Sequence, residues 1–344
     1  MTDSLLGRLG DPRTLSVNDV RGTFVRLVDP GTSDPERVSI LLAIARRRVS
    51  VTELTRFVEE IRSRAVRFHV PSGDHPIDLC GSGGAPTASF NVSTVSAFVV
   101  AAAGAPVVKH GNRSSRGPCG SSDLLEALGL PVTESREFGR ETYRRLRLAF
   151  LHAPLYHPAT RAVAAARKAA GVPTLFNQLG PLSNPAPTAF QLVGVPDRPT
   201  VELTARVLGR LGRRRAVAVT SAEGCDEFSP KGRTYGALWA AEHLSRRTFE
   251  ARSLLSSEDR AGDWGALPPV KAAEEARRVL AGGGGARRGS VLITAGAALW
   301  VAGRARHVAD GVERAREALD SGRAEAMLTS MEAIASGYRP RRNR

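Results

Sequence analysis

Residues 78–123 read DLCGSGGAPTASFNVSTVSAFVVAAAGAPVVKHGNRSSRGPCGSSD, and the order of elements in this segment indicates the fold class. It opens with a short apolar strand and a glycine-rich turn, and polar residues then lead into an apolar helix. A second strand follows and ends in a loop rich in cations and small residues. The strands of such a strand–helix–strand unit are parallel, so both loops reach the same edge of a sheet. The stretch therefore predicts two backbone cradles for a ligand with two separate phosphate groups.

The chain before this stretch shows only helical patterns, and the chain after it continues the alternation of strands and helices. Serine caps predict three amphipathic helices in the first 65 residues, beginning after Ser16, Ser33 and Ser50. Strands are predicted at 77–80, 106–109, 149–152, 190–193 and 216–220, with helices at 93–103, 122–128, 159–170 and 201–211. The glycine-rich run at 281–290 predicts a mobile surface loop before a C-terminal helical stretch.

This order of elements predicts the fold class. It is typical of an α/β protein with a small all-helical N-terminal subdomain and a large domain whose mainly parallel central sheet is flanked by helices. Ligands of such sheets bind at the carboxyl ends of the strands. The motifs that follow those ends are therefore the candidates for a binding site.

The first strand is followed directly by Gly81, Gly83 and Gly84. Glycines let backbone N–H groups approach an anion because no Cβ intervenes, although a plain tight turn also favours them. The spacing matches neither GxGxxG nor GxxxxGK[ST], so standard dinucleotide and P-loop sites lose support. Residues 91–94, Asn-Val-Ser-Thr, place an amide and two hydroxyls where a helix begins and its dipole favours phosphate. Helix capping explains one of these three polar side chains, not all of them.

Two further polar groups follow strand ends. Residues 109–113, Lys-His-Gly-Asn-Arg, bring two cations that suit phosphate or carboxylate to the end of the second strand. Asp226 and Glu227 follow the strand predicted at 216–220. Adjacent carboxylates there can hold Mg²⁺ that also bridges pyrophosphate oxygens, whereas such a pair alone is usually a solvated turn. Opposite two phosphate cradles, the metal role is favoured.

Length and composition exclude several other classes. The 344 residues, 42% hydrophobic and 24% charged, have the composition of a globular protein. The longest apolar stretch, 95–108, is too short to span a bilayer, and we expect no secretory signal and no membrane partner. Three cysteines without CxxC spacing fit the reducing cytoplasm. The net charge of +15 comes from scattered arginines with few aromatic residues among them, which favours a solvated surface over a nucleic-acid partner.

The chain resembles the anthranilate phosphoribosyltransferase family of tryptophan biosynthesis. The segments GSGG, FNVST, KHGNR, GSSDLLEALG, APLYHP, RKAAGVPTLFNQLGPLSNP, DEFSP and ITAGAALWVAG run in the family's order over nearly the whole chain. The resemblance implies Mg²⁺-dependent transfer of phosphoribose from phosphoribosyl pyrophosphate to the amino group of anthranilate, with release of pyrophosphate. It also implies a homodimer, a helical subdomain at residues 1–70 joined by helices from about 160–188, and a phosphoribosyl pyrophosphate-binding α/β domain at 71–344.

The family's site residues carry over by position. The resemblance implies that phosphoribosyl pyrophosphate is bound by Gly81, Gly84, Ala85, Ser89, Asn91, Val92, Ser93, Thr94, Lys109, His110, Gly111, Asn112, Arg113, Ser114, Ser115, Arg116, Gly117 and Ser121. It implies that the aromatic acid is held by Gly81, His110, Asn112 and Arg167, and that Mg²⁺ is bound by Ser93, Asp226 and Glu227. An arginine suits the acid because a guanidinium can form two parallel hydrogen bonds to a carboxylate.

The chain departs from the family's pattern in both loops. Ala85 replaces the aspartate of the usual GTGGD, and residues 117–120, Gly-Pro-Cys-Gly, replace a Ser-Lys-Ser-Gly ending. Thr294 stands where asparagine is common, and Arg116 offers a cation near the lost lysine. Two alternatives to the anthranilate reaction therefore stay open. One is a paralogue that uses another aromatic carboxylic acid, and the other is an inactive nucleic-acid-binding homologue, against which Asp226, Glu227 and residues 91–94 argue.

Overall fold

The computed structural model describes residues 2–11, 14–82, 89–114 and 117–338. The strands are β1 (Ile77–Cys80), β2 (Val107–Gly111), β3 (Leu148–His152), β4 (Phe190–Gly194), β5 (Arg215–Ser221), β6 (Arg233–Ala240) and β7 (His243–Glu250). The helices are α1 (Thr2–Gly10), α2 (Val17–Val28), α3 (Asp34–Ala45), α4 (Val51–Ser63), α5 (Val92–Ala102), α6 (Ser121–Ala127), α7 (Arg136–Leu146), α8 (Ala153–Tyr156), α9 (Ala164–Ala170), α10 (Leu175–Leu182), α11 (Arg198–Arg210), α12 (Pro269–Leu280), α13 (Ala286–Val301), α14 (Val308–Asp320) and α15 (Arg323–Gly337). Short 3₁₀ helices lie at Pro158–Val163, Ala251–Ser253 and Glu258–Arg260.

The seven strands form one sheet in the order β3-β2-β1-β4-β5-β6-β7. Strands β1 to β5 are parallel, and β6 and β7 continue the sheet as an antiparallel pair. All five predicted strands are present, so the predicted α/β fold with a mainly parallel sheet is confirmed. The antiparallel strands β6 and β7 were not predicted.

The strand order locates the place where a ligand can bind. From β1 the chain adds β2 and β3 on one side, and then returns to add β4 and β5 on the other side. The connections that leave β1 and β4 therefore run in opposite directions. A crevice opens at such a switch point, outside the carboxyl ends of the strands. The described residues of both loops in the 78–123 stretch lie at this end of the sheet.

Helices cover both faces of the sheet, and the N-terminal helices begin as predicted. Ser16 and Ser50 form capping boxes at the starts of α2 and α4, and the Ser33 hydroxyl accepts from a backbone N–H at the start of α3. The apolar faces of α1 to α4 share one core with α9, α10 and α11 and with sheet residues such as Val193 and Ala216. We propose on this packing that 1–70 and helices from about 160–188 form the helical subdomain, and 71–344 the α/β domain.

The prediction of a loop at 281–290 is wrong for the second half of that run. Helix α13 begins at Ala286, and Arg288, Gly289 and Ser290 are buried. A Cβ on Gly289 would lie 1.9 Å from the carbonyl oxygen of Asp259, so the glycine allows close packing instead of mobility. Only the four glycines before the helix form a turn, which is the part that the glycine pattern describes correctly. Among the described residues, no helix is long and apolar enough to cross a membrane.

Candidate active site

A cleft of about 580 Å³ opens at the carboxyl ends of the central strands. The sequence-predicted site residues that line it are Gly81, Ser89, Asn91, Ser93, Thr94, Lys109, His110, Gly111, Asn112, Arg113, Ser114, Gly117, Ser121, Arg167, Asp226 and Glu227. The side chain of Val92 is buried in the apolar core beneath α5 instead. Gly84, Ala85, Ser115 and Arg116 lie outside the described residues. Residues from separate parts of the sequence thus meet in one cleft.

The N-terminus of α5 points into this cleft. Asn91 is the residue before the helix, but its side chain makes no capping hydrogen bond. Its Nδ2 donates instead to the carbonyl oxygen of Cys119 at 3.1 Å, which joins the first loop to the second. The side chains of Ser93 and Thr94 are buried in the first turn of the helix. A helix N-terminus with polar side chains is a favourable place for an anion, because its partial positive charge faces the ligand.

Close backbone packing shapes the second loop. A Cβ on Gly111 would lie 2.1 Å from Ser121 Oγ, and one on Gly120 would lie 2.2 Å from the backbone nitrogen of Ser114. Larger residues at these two positions would therefore push the loop apart. The Ser121 hydroxyl donates to the Asn112 carbonyl oxygen at 3.1 Å, which brings both ends of the loop together.

The two cations of residues 109–113 have different surroundings. Lys109 is only 3% exposed, and its Nζ donates to the Leu79 carbonyl oxygen at 2.7 Å between β1 and β2. Arg113 is exposed and forms ion pairs with Asp123 and Glu126 of α6. Lys109 therefore places a buried positive charge at the floor of the cleft, whereas Arg113 is held against α6.

Asp226 and Glu227 form a buried acidic pair in the same cleft. They are 9% and 6% exposed. Ser82 Oγ donates to Asp226 at 2.8 Å, and the backbone N–H of Ser93 donates to Glu227 at 3.3 Å. Burial, and then the neighbouring charge of Asp226, raises the pKa of Glu227 to about 8. The pair thus places carboxyl oxygens beside the N-terminus of α5.

Glycines hold this acidic pair against the strands. A Cβ on Gly81 would lie 2.9 Å from Asp226 Oδ2, and one on Gly194 would lie 1.5 Å from the Asp226 carbonyl oxygen. The second of these contacts is with backbone, so a side chain at position 194 would displace the acidic loop. Glycine at these two positions therefore allows the acidic loop to lie directly against the ends of β1 and β4.

The remaining wall combines an arginine with aromatic groups. The Arg167 guanidinium lies 5.2 Å from the ring centroid of Phe176, and burial lowers its pKa. No carboxylate of the described residues forms an ion pair with it, so its charge faces the cleft unneutralised. The His110 ring meets the His157 ring edge-on at 5.1 Å, and burial holds the pKa of His110 well below its ordinary value. The His110 ring is therefore uncharged at neutral pH, and it forms part of this wall.

The chain matches known proteins over most of its length. Residues 73–325 match the family described as "Glycosyl transferase family, a/b domain". The anthranilate phosphoribosyltransferase of Desulfitobacterium hafniense (strain Y51) is 35% identical over 318 residues, covering 91% of this chain and 93% of that protein. The chain belongs to the anthranilate phosphoribosyltransferase family. The enzyme of the same name from Persephonella marina is 35% identical over 343 residues, 98% of this chain and 100% of that one.

Solved structures agree with the family assignment. The anthranilate phosphoribosyltransferase of Thermus thermophilus superposes with a TM-score of 0.87 at 31% identity, covering 96% of this chain and 99% of that chain. The Saccharomyces cerevisiae protein of that name, in complex with PRPP and Mg, gives a TM-score of 0.85 at 22% identity and covers 98% of each chain. The second likeness shows the shared fold. The chain is thus a pentosyltransferase-family enzyme, which confirms the resemblance seen in the sequence.

Two of the departures from the anthranilate phosphoribosyltransferase pattern lie within the described residues of the second loop. Pro118 is exposed, whereas Cys119 is half-buried and packs against the apolar core. Burial raises the pKa of the Cys119 thiol to about 11, so the group stays protonated. Asn91 holds the backbone of Cys119, so the side chain at position 119 does not decide that contact. Cys119 thus acts as an apolar packing group at the rim of the cleft.

Several cleft residues were missed by the sequence reasoning. They are Cys80, Ser82, Phe90, Cys119, Gly120, Ala153, Phe176, Asn177, Gly180 and Pro181. The last four lie on α10, within the segment RKAAGVPTLFNQLGPLSNP that the family shares. That segment joins Arg167 to α10 in the sequence, and it was the available signal for this wall. Among the described residues, no group of three or more His, Cys, Asp or Glu side chains could hold a metal ion unaided.

Proposed function

We propose that the protein transfers phosphoribose from phosphoribosyl pyrophosphate to the amino group of anthranilate, giving N-(5-phosphoribosyl)anthranilate and pyrophosphate. One observation carries the proposal. A single cleft brings together the N-terminus of α5, a buried acidic pair, and an arginine that no carboxylate of the described residues neutralises. A reaction between a polyphosphate donor and an aromatic carboxylate needs groups of all these kinds. The relatives named for this activity, at 35% identity, support the same conclusion.

The phosphate side of the cleft is the site proposed for phosphoribosyl pyrophosphate. Its charged groups would be received by the first turn of α5, by Lys109 and by the backbone of the second loop. Such donors stabilise the charge that develops on a leaving pyrophosphate, because they are already oriented before the reaction. The residues predicted from the family for this ligand keep that role as a proposal.

The acidic pair fits a magnesium ion. Two adjacent carboxyl groups lie buried at one edge of the cleft, and burial raises the pKa of Glu227, so a cation bound there would favour its ionised form. Oxygen ligands of this kind suit Mg²⁺, which usually completes its shell with water and substrate phosphate. Asp226, Glu227 and Ser93 would hold the ion. When bound, Mg²⁺ would neutralise charge on the pyrophosphate.

The opposite wall is the site proposed for the aromatic acid. Arg167 would bind the carboxylate through two parallel hydrogen bonds, and Phe176 limits the directions open to the guanidinium. Gly81, Asn112 and the uncharged His110 would contact the ring and its amino group. Benzoates with other substituents offer the same carboxylate, so the ring substituent decides between anthranilate and the paralogue alternative.

The proposed reaction balances without a covalent enzyme intermediate. The bond from ribose C1 to the pyrophosphate oxygen breaks, and the pyrophosphate leaves with the electron pair. The amine lone pair forms the new C1–N bond, and the amine then loses a proton to solvent. Positioning of the two substrates and stabilisation of the leaving group would supply the rate enhancement.

Pyrophosphate release with a panel of acceptors tests the proposed function. Anthranilate should support release in the presence of Mg²⁺, and benzoate, which has no amino group, should not. Turnover of a hydroxybenzoate with no preference for anthranilate would favour the paralogue. A salt-dependent shift of a DNA or RNA probe without pyrophosphate release under any acceptor would favour the inactive nucleic-acid binder. The homodimer expected from the family is likewise a proposal, and sedimentation measures it directly.

A further inference from the structure

A buried glutamine beneath the cleft joins two of its walls. Gln191 of β4 is 0% exposed. Its Nε2 donates to the Pro181 carbonyl oxygen of α10 at 2.7 Å, and lies 3.3 Å from Asp78 Oδ2. Its Oε1 accepts from Arg213 Nε at 3.1 Å. The Gln191 amide therefore satisfies groups from a helix, a strand and a loop at once.

The contact to Pro181 fixes the end of α10. The last carbonyl groups of a helix have no partner within the helix, so they need one from elsewhere when they are buried. Gln191 supplies that partner through the shortest of its three Nε2 contacts, and the Cys80 thiol donates more weakly to the same carbonyl oxygen, at 3.5 Å. Pro181 and Gly180 line the cleft, and Phe176, which contacts Arg167, lies one turn and a half earlier on the same helix. The position of α10 therefore sets the position of the aromatic-acid wall.

The contact to Asp78 extends the link to the second strand. Asp78 is 0% exposed, and its Oδ1 accepts from the backbone N–H of His110 at 3.1 Å. His110 lies near the end of β2 and lines the same cleft as Pro181. One chain of hydrogen bonds thus runs from Pro181 through Gln191 and Asp78 to His110. Buried polar chains of this kind hold their members in one arrangement when every group is satisfied.

We propose that Gln191 is a positioning residue for the aromatic acceptor, which acts by holding the Pro181 end of α10 against β1 and β2. The residue does not line the cleft itself and is not a catalytic residue. The inference rests on the proposed function, because it assigns the aromatic acid to the wall formed by Arg167, Phe176 and Pro181. It makes a prediction that a general stabilising role does not make. Acceptor binding should depend on Gln191 far more than binding of phosphoribosyl pyrophosphate does.

The neighbouring Arg213 offers a matched control. It is 5% exposed, and it contacts the same glutamine from the side away from α10. Arg213→Met leaves the buried Gln191 Oε1 without its donor, so it should lower the melting temperature. It leaves the hydrogen bond from Gln191 to Pro181 in place. Gln191→Met keeps a similar volume and removes every hydrogen bond of the amide, the one to Pro181 included.

The test measures the direct binding of two ligands, anthranilate (2-aminobenzoate) and phosphoribosyl pyrophosphate with Mg²⁺. The proteins compared are the full-length wild type, Gln191→Met and Arg213→Met. For Gln191→Met we expect the Kd of 2-aminobenzoate to rise roughly 5- to 30-fold, the size expected for one lost buried hydrogen bond. The Kd of phosphoribosyl pyrophosphate should change less than about 2-fold, and Arg213→Met should change neither Kd by more than that. Gln191→Asn, which keeps the amide but shortens its reach, serves if Gln191→Met does not fold.

The outcomes separate the two proposals. A wild type that binds no aromatic acid contradicts the proposed function, and the role of Gln191 falls with it. A wild type that binds 2-aminobenzoate, with Gln191 variants that bind it equally well, overturns only the role of Gln191. Equal losses for both ligands, or equal losses in the Gln191 and Arg213 variants, mean that the glutamine has only a structural role. Loss of acceptor binding alone, in the Gln191 variants alone, supports the inference.

Discussion

Replacing Arg167 with alanine tests whether this side chain binds the carboxylate of the aromatic acid. In the structure the guanidinium is half-buried, contacts the Phe176 ring and has no carboxylate partner among the described residues. Its removal therefore leaves no buried charge unpaired, and the loss of the cation–π contact should cost only about 0.5–1 kcal/mol of unfolding free energy. The substitution should thus affect binding much more than folding.

The magnitude follows from the contacts that Arg167 would make to a carboxylate. Hydrogen bonds to a charged group contribute about 1.5–3 kcal/mol, so the Kd of the aromatic acid should rise about 10- to 150-fold. Arg167→Lys keeps the charge but loses the planar pair of donors, and it should fall between the alanine variant and the wild type. Lys168→Ala is the control, because that side chain is exposed and does not line the cleft.

Titration of each variant with anthranilate and with phosphoribosyl pyrophosphate, supported by steady-state KM values for both, decides the matter. The KM of phosphoribosyl pyrophosphate should stay within about 2-fold of the wild-type value, because its proposed site lies on the other wall. Equal weakening of both substrates by Arg167→Ala would refute the assignment of the walls. So would an equal effect of Lys168→Ala.

Three further predictions concern the acidic pair and the buried histidines. Gly194→Ala should displace the Asp226 carbonyl, which should lower the unfolding free energy by about 1–3 kcal/mol and remove most of the activity. Gly22→Ala is the control, because open space surrounds that glycine, and it should change neither stability nor activity in this way. Removal of Mg²⁺ with EDTA should abolish pyrophosphate release, and Glu227→Gln should raise the Mg²⁺ concentration needed for half-maximal rate roughly 10-fold; activity that persists in EDTA would count against the metal role. Burial lowers the pKa of His157 from 6.5 to about 4, so the unfolded chain takes up a proton at a higher pH than the folded chain does. The free energy of unfolding should therefore fall by on the order of 3 kcal/mol as the pH drops from 6.5 to 4. His157→Phe should flatten that part of the urea-unfolding profile, and an unchanged slope would contradict the assignment.

The sequence was sufficient to predict the parallel half of the sheet. Strands β1 to β5 are short, apolar runs with burial on both faces, which is how parallel strands differ from their surroundings. Strand β7 was missed for a related reason. β7 lies at the edge of the sheet with several exposed residues, and its sequence HLSRRTFE has few apolar positions to mark a strand.

The run at 281–290 was misread because glycine has two uses. Before Ala286 the glycines form a turn, but Gly289 lies inside a helix where it allows contact with the backbone of Asp259. Composition alone does not separate these uses, since the contact comes from a residue thirty positions earlier in the chain. Tertiary packing decides such cases.

The candidate site was predicted in its loops and at Arg167, but the α10 residues of the far wall were missed. The motifs around Asn91, Lys109 and Asp226 follow strand ends, so the topology of the sheet assembles them in a predictable way. The wall formed by α10 approaches from the helical side, and no strand end marks it. The Gln191 network is also absent from any local pattern, because its partners Asp78, Pro181 and Arg213 are brought together only by the fold.

The most direct test of the account is product analysis with the purified protein, phosphoribosyl pyrophosphate, anthranilate and Mg²⁺. If the proposed reaction takes place, pyrophosphate and a product with the mass of N-(5-phosphoribosyl)anthranilate should form in equal molar amounts. Both should form only when anthranilate is present. Pyrophosphate release that does not depend on anthranilate, or no such product at any substrate concentration, would contradict it.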